Sequence, residues 1–406
     1  MAFAFINGRV LIDGAFRDDV AVTVEGDRIV AIGPVPQHLA TIDLDGAMLV
    51  PGFVDSQVNG GGDVLFNADP SVEALATIAA AHARYGTTGF LPTLISDDLQ
   101  VIRKGIAAVD AAIESGVPGV LGIHIEGPFI SVERKGIHDA THIRTLDEEG
   151  FAVLTSLKRG RTLVTIAPER MTPDLVHRLA TAGVVVAAGH TNGTYEQVSA
   201  AIDAGLSGFT HLFNAMSPLT SREPGAVGAA LDSPETFCAL IVDGFHVNPV
   251  TMRLAMRCKP HDRFMLVTDA MPTTGGSARS FSLQGREIAA LNGRLVARDG
   301  TLAGSDLNMM QAVMNAVDML QISFEEAIVM ATKVPSAFLG LREHGEIAVG
   351  KRASVASVRE QAITGVWIDG KAQSQNPATP RLSRNERPGD AKQVKEDSGA
   401  SRTDVG

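Results

Sequence analysis

Apolar and polar positions fall into two textures along this chain. In residues 1–50, short apolar runs such as Val20-Ala21-Val22 and Ile29-Val30-Ala31-Ile32 flank tight turns at Glu25-Gly26-Asp27 and Asn7-Gly8. Such punctuation predicts strands without helices. The same texture returns at Ala353 to Val358 and Ile363 to Ile368, inside residues 344–372, so the two ends are expected to build one small β-sandwich domain. Between them, residues 51–343 repeat a short apolar strand, a polar loop and an amphipathic stretch, the pattern of parallel βα units. Eight strands are predicted: Met48 to Val58, Thr87 to Ile95, Val120 to Ile125, Leu163 to Ala167, Val184 to Ala188, Gly208 to Phe213, Phe237 to Val242 and Phe264 to Thr268. Several are apolar throughout, as strands buried on both faces are. Helical spacing links Leu307, Met310, Met314 and Val317, and Ser323 with Glu326 forms a capping-box pattern. Eight such units predict an α/β fold, a (β/α)8 TIM barrel. An open doubly wound sheet is the alternative, although no Gly-x-Gly-x-x-Gly follows the first strand to support a dinucleotide site.

Composition narrows the class. Over 406 residues, 45% are hydrophobic and 20% charged, which leaves ample apolar surface for a large core. Residues 373–406 carry few large apolar side chains, and a disordered tail is expected there. With 35 Lys plus Arg against 46 Asp plus Glu, the net charge is −11, and no basic run offsets it. Nucleic acid is therefore not an expected partner. No signal peptide or long apolar span is evident, so a soluble cytoplasmic protein without membrane contact is expected. The two cysteines, Cys238 and Cys258, are too few for a thiolate zinc site or disulfide framework and are expected to be buried apolar packing.

Candidate chemistry follows from the barrel, whose reactive groups sit at the C-terminal ends of its strands. Glu126 ends the third predicted strand, His190 the fifth and Asp269 the eighth, while His211 lies in the sixth. Two imidazoles and a carboxylate make an open metal site with room for water or substrate. A lone histidine is more often structural, and it is the joint placement that favours a metal. Asp269 is the candidate general base, because a carboxylate beside an activated water can take its proton and later hand it to a leaving amine. His138, in the loop after the third strand, is placed to donate to a substrate carbonyl. Arg222 offers the planar fork that suits phosphate, His246 follows the seventh strand, and the backbone around Asn214 and Ala215 completes a possible anion cradle.

The ordered segments Pro51-Gly52-Phe53-Val54-Asp55, His124-Ile125-Glu126-Gly127-Pro128, Gly189-His190-Thr191, His211-Leu212-Phe213-Asn214-Ala215-Met216, Arg222-Glu223-Pro224-Gly225, Asp243-Gly244-Phe245-His246, Thr268-Asp269-Ala270 and Thr301-Leu302-Ala303-Gly304-Ser305 carry a specific resemblance. Together they make the chain resemble the N-acetylglucosamine-6-phosphate deacetylase family of the amidohydrolase superfamily, over nearly all of its length outside the tail. The resemblance implies hydrolysis of an acetylated amino-sugar phosphate to acetate and the free amine. It implies that Glu126, His190 and His211 bind a divalent metal, that Asp269 is the acid/base and that His138 contacts the acetyl group. Asn214, Ala215, Arg222 and His246 would hold the sugar phosphate, with Thr301, Leu302 and Ala303 lining the sugar pocket. A homodimer is implied too, in which Arg222 can reach the partner's site.

One departure from the wider superfamily matters. Most members carry His-x-His on the first strand, whereas this chain has Gln57 and Asn59, and its fourth strand offers no lysine to bridge two metals. One metal ion per subunit is expected, with zinc first and iron, manganese or cobalt as alternatives. The rival readings are a deacetylase for the galactosamine epimer, another amidohydrolase such as a cyclic-amide hydrolase, and a barrel kept only as a scaffold. The missing imidazoles argue against the cyclic-amide enzymes, and the intact Glu126, His190, His211 and Asp269 against the scaffold.

Overall fold

The computed structural model describes residues 2–34 and 38–373, together with the backbone of Leu382–Ser383. Eight parallel strands follow one another round a barrel: β1 (Phe53–Val58), β2 (Thr87–Ile95), β3 (Gly122–Glu126), β4 (Arg161–Ile166), β5 (Val185–Ala188), β6 (Gly208–Phe209), β7 (Phe237–Leu240) and β8 (Phe264–Leu266). Each pairs with its sequence neighbour. Between β8 and β1 the ladder shrinks to one bridge, Val58 to Ala270, so the barrel is nearly closed. Side chains complete the seam: buried Asp55 accepts from Thr268 Oγ1 at 2.5 Å and from the backbone N–H groups of Thr268 and Gln57. Burial pushes the Asp55 carboxyl up to about 7, against these hydrogen bonds.

Helices cover the outside, and local signals set their ends. Ser71 caps Val72–Ala83 by accepting from Ala74 N–H, and Leu99–Ser115 stops at Gly116, whose φ of 78° suits glycine. The predicted capping box at Ser323 and Glu326 opens Phe324–Ala331. Apolar faces meet the barrel through residues such as Leu75, Ile78, Ile102 and Val109, all buried.

Both chain ends form the second unit, as expected. A six-stranded sheet joins Met48–Pro51 in parallel with Arg9–Ile12 and antiparallel with Val355–Arg359. A five-stranded sheet, built around Ala2–Ile6, Ala21–Glu25 and Ala40–Asp43, faces it. Their shared core holds Phe5, Val22, Val24, Leu49, Val355 and Trp367, with the Phe5 and Trp367 rings edge to face at 4.7 Å.

The structure departs from the sequence reading in several places. The stretch Met48 to Val58 is two strands, since Gly52 N–H bonds Ser354 O and hands the chain from the sandwich to β1. The sixth strand is only Gly208–Phe209, so His211 lies in the turn beyond it. A four-stranded antiparallel sheet, β9 (Ser280–Leu283), β10 (Arg286–Leu291), β11 (Arg294–Ala297) and β12 (Leu302–Ser305), was not anticipated. It packs Leu283, Ile288, Leu295 and Ala303 against Leu65, Ile95, Ile137 and Met271 from the barrel's rim. Cys238 is buried as expected, but Cys258 is exposed, because it follows a helix end on the outer surface. Of the expected tail, Leu382–Ser383 pairs with Ala40–Asp43, and the rest beyond Gln373 lies outside the described residues.

Candidate active site

Four side chains from four strand ends converge at the C-terminal mouth of the barrel. Glu126 closes β3, and His190, His211 and Asp269 stand just past β5, β6 and β8. The last three have left-handed φ angles of 48°, 32° and 52°. Non-glycine residues rarely sit there, and neighbouring bonds hold them: Ser131 N–H to His190 O, Leu212 N–H to Ala239 O, and Asp269 N–H to Gln57 O. These turns swing the side chains inward over the barrel axis.

Glu126 Oε1 lies 3.2 Å from His190 Nε2 and 2.9 Å from His211 Nε2, and the two Nε2 atoms are 3.1 Å apart. Tetrahedral ligand atoms on bonds of about 2.0–2.2 Å stand roughly 3.3–3.6 Å apart, so this triangle fits a small divalent ion after a shift of a few tenths of an ångström. Chemistry agrees with the spacing. His190 Nδ1 donates to the Arg134 carbonyl at 2.9 Å, which leaves the Nε2 lone pair facing a carboxylate oxygen. Two electron-rich atoms at that distance call for a cation. Burial raises the Glu126 carboxyl, but the imidazoles of His190 and His211 against it outweigh burial and hold the group well below its ordinary range. His138 brings a ring nitrogen within 4.8 Å of ligand atoms on Glu126 and His190, which defines a competing triad.

Asp269 sits beside the triangle. Its Oδ1 accepts from Asn59 Nδ2 at 2.6 Å and from Gln57 Nε2 at 3.2 Å, and the same Gln57 amide reaches Glu126 Oε1 at 3.0 Å. Burial, then the nearby Glu126 charge, pushes the Asp269 carboxyl up to about 8. Sequence reasoning treated Gln57 and Asn59 only as absent imidazoles. Here they clamp the two carboxylates. Beneath them His124 lies within the barrel between Thr93 and Thr165, and burial lowers its pKa to about 4.

Above the cluster opens a cavity of about 520 Å³. Among the expected substrate residues, His138, Asn214, Ala215, His246, Thr301 and Leu302 line it. His246 Nδ1 is paired with the buried Asp243 carboxylate at 2.6 Å, which fixes the ring. Ala303 is fully buried in the core of the four-stranded sheet and supports this wall from behind. Arg222 does not reach the cavity of its own chain; it is exposed in the loop after β6. Residues not anticipated on the walls include Glu133, Arg134, Ile241 and Met271. Arg134 and Glu133 share the loop that carries His138, which was the available signal.

Comparison with known proteins agrees with this fold. A sequence model of the amidohydrolase family matches residues 48–372. The chain is 40% identical to the N-acetylgalactosamine-6-phosphate deacetylase of Shewanella sp. (strain ANA-3), covering 89% of this chain and 94% of that protein. It is 35% identical to the N-acetylglucosamine-6-phosphate deacetylase of Haemophilus influenzae, over 91% and 99% of the two chains. Among solved structures, the N-acetylglucosamine-6-phosphate deacetylase of Pasteurella multocida superposes with a TM-score of 0.89 at 34% identity, covering 92% of this chain and 99% of that one. This chain belongs to the amidohydrolase family.

Proposed function

We propose that the protein removes the N-acetyl group of N-acetyl-D-glucosamine 6-phosphate, giving D-glucosamine 6-phosphate and acetate in the cytoplasm. The observation that carries this reading is the Glu126, His190 and His211 triangle set beside a carboxyl whose proton affinity lies near neutral pH. These three residues would hold one divalent ion per chain, zinc first, with iron, manganese or cobalt as alternatives. When bound, such an ion polarises the acetyl oxygen and acidifies the attacking water.

The remaining work falls to the chain's own side chains. Asp269 takes a proton from the water as its oxygen attacks the acetyl carbon, and gives it to the nitrogen as the C–N bond breaks. A carboxyl with raised proton affinity is suited to both transfers. His138 donates to the acetyl oxygen as charge develops there. Asn214, Ala215 and His246 hold the sugar phosphate, and Thr301 and Leu302, backed by Ala303, shape the sugar wall.

Arg222 and Leu219 are both exposed in one loop and neither lines the cavity of its own chain, which supports a homodimer in which Arg222 serves the partner's phosphate site. A second reading, the galactosamine epimer, is favoured by the 40% identity to a deacetylase named for that sugar. Acetate release from both 6-phosphates, beside the unphosphorylated sugars, decides between them. Turnover of the gluco substrate with little from the others is the expected result, preference for the galacto substrate replaces it with the epimer, and no turnover by metal-loaded protein overturns both.

A further inference from the structure

His138 and His190 stand with ring centroids 4.4 Å apart, and backbone groups hold their Nδ1 atoms in opposite ways. The Nδ1 of His190 faces the carbonyl oxygen of Arg134, which can only accept, so this nitrogen carries the proton and Nε2 presents a lone pair. At His138 the backbone N–H of Ser96 donates to Nδ1 at 3.3 Å, and Ser96 Oγ lies 2.8 Å from the same atom. A nitrogen receiving an N–H donor must offer its lone pair. In the neutral ring the proton is then on Nε2, which has no protein partner among the described residues, on a ring that lines the cavity.

We propose that Ser96 is a positioning residue that fixes His138 as the Nε2–H tautomer, making it a hydrogen-bond donor to the substrate and keeping it out of the metal's ligand set. The inference deepens the deacetylase reading and rests on it only for its kinetic arm. It also separates the two ligand triads that distance alone permits. An imidazole with hydrogen on Nε2 cannot coordinate through that atom, so Glu126, His190 and His211 remain as ligands and His138 becomes the donor.

The surroundings are built for this contact. Ser96 follows β2 and is fully buried. Its carbonyl accepts from Gln284 Nε2 at 2.6 Å, across from the turn between β9 and β10, so the four-stranded sheet pins the serine backbone. Opposite lies Gly127, at φ 93°, where a Cβ would fall 2.2 Å from Ser96 Oγ. Only glycine leaves the hydroxyl room to reach the ring.

The test combines nuclear magnetic resonance with a kinetic cycle. In zinc-loaded, ¹⁵N-histidine-labelled protein, the signals lost in His138→Gln identify this ring. Long-range ¹H–¹⁵N correlations are expected to show Nδ1 unprotonated and Nε2 protonated, and Ser96→Ala, which removes the 2.8 Å hydroxyl contact and leaves only the longer 3.3 Å backbone N–H donor, is expected to shift both nitrogens part of the way toward the averaged values of a tautomer mixture. With acetate release as readout, Ser96→Ala should lower kcat roughly 10–100-fold with KM little changed, the range typical of partners that orient a site group. The same substitution in the His138→Gln background should cost almost nothing. A protonated Nδ1 in the unsubstituted protein, or an equal loss from Ser96→Ala in both backgrounds, overturns the proposal. If no amino-sugar phosphate is turned over, the spectra alone decide it: the assigned tautomer, disturbed by Ser96→Ala, upholds it, and any other pattern rejects it.

Discussion

Asn59 Nδ2 stands 2.6 Å from Asp269 Oδ1, and this short bond places a neutral amide against the carboxyl proposed as the acid/base. An N–H donor favours the ionised carboxyl, so Asn59 opposes the burial that raises its proton affinity. Asn59→Ala is expected to raise the Asp269 pKa further. Because the ionised form accepts the proton from water, the acid limb of the kcat profile should move to higher pH, and a pH–rate comparison of the two proteins checks it.

Asp269→Asn keeps the shape of the side chain and removes its proton chemistry. The expected loss is roughly 10²–10⁴ in kcat, the usual contribution of a positioned acid/base. Thermal unfolding should confirm a folded variant, and unchanged turnover would falsify the assignment.

Removing the proposed ion should affect more than rate. A ligand bound only to the folded state stabilises it by mass action, so stripping with a chelator is expected to lower Tm as well as activity, and one equivalent of zinc per chain should restore both. Elemental analysis supplies the count. Two equivalents at full occupancy in the cavity would contradict the single site expected from Gln57 and Asn59.

His82 gives a stability test away from the ion. Buried in the helix Val72–Ala83, it is held beside the Gly60 carbonyl at 2.9 Å through Nε2, while Nδ1 has no partner among the described residues. Burial lowers its pKa from 6.5 to about 4. The unfolded chain therefore binds more protons between these values. The contribution of the neutral ring, up to ~3 kcal/mol, is fully present above pH 6.5 and is lost as pH falls toward 4. Denaturant titrations from pH 7 to 4 should show this slope, flattened in His82→Gln.

The eight barrel strands were legible because strands buried on both faces read as unbroken apolar runs, and a charged residue at the end of such a run, as in Ile125-Glu126, marks the barrel's mouth. Short β6 was overread, since Leu212 and Phe213 continue the apolar run after the backbone has turned. The sheet from Ser280 to Ser305 was missed although Leu283, Ile288 and Leu295 alternate with turns at Gly285 and Gly293; these short pieces bury apolar side chains only by packing on the barrel rim. The clamp by Gln57 on Glu126 and Asp269 links residues 69 and 212 positions away, and no local spacing reports such partners. Ser96 was hidden for the same reason.

The passage from Met48–Pro51 into Phe53–Val58 gives the two units a common spar. At its crossing point Gly52 is pressed against Thr88, so closely that a Cβ would lie 2.1 Å from the threonine hydroxyl. A hinge needs slack, and there is none at this joint. The far end of the same spar carries Gln57 and leads into Asn59, so any tilt of the sandwich becomes a displacement of the amides that hold Asp269. The terminal domain thus acts as a brace for Asp269, and the two units should melt together in a single cooperative calorimetric transition, with activity lost at its onset.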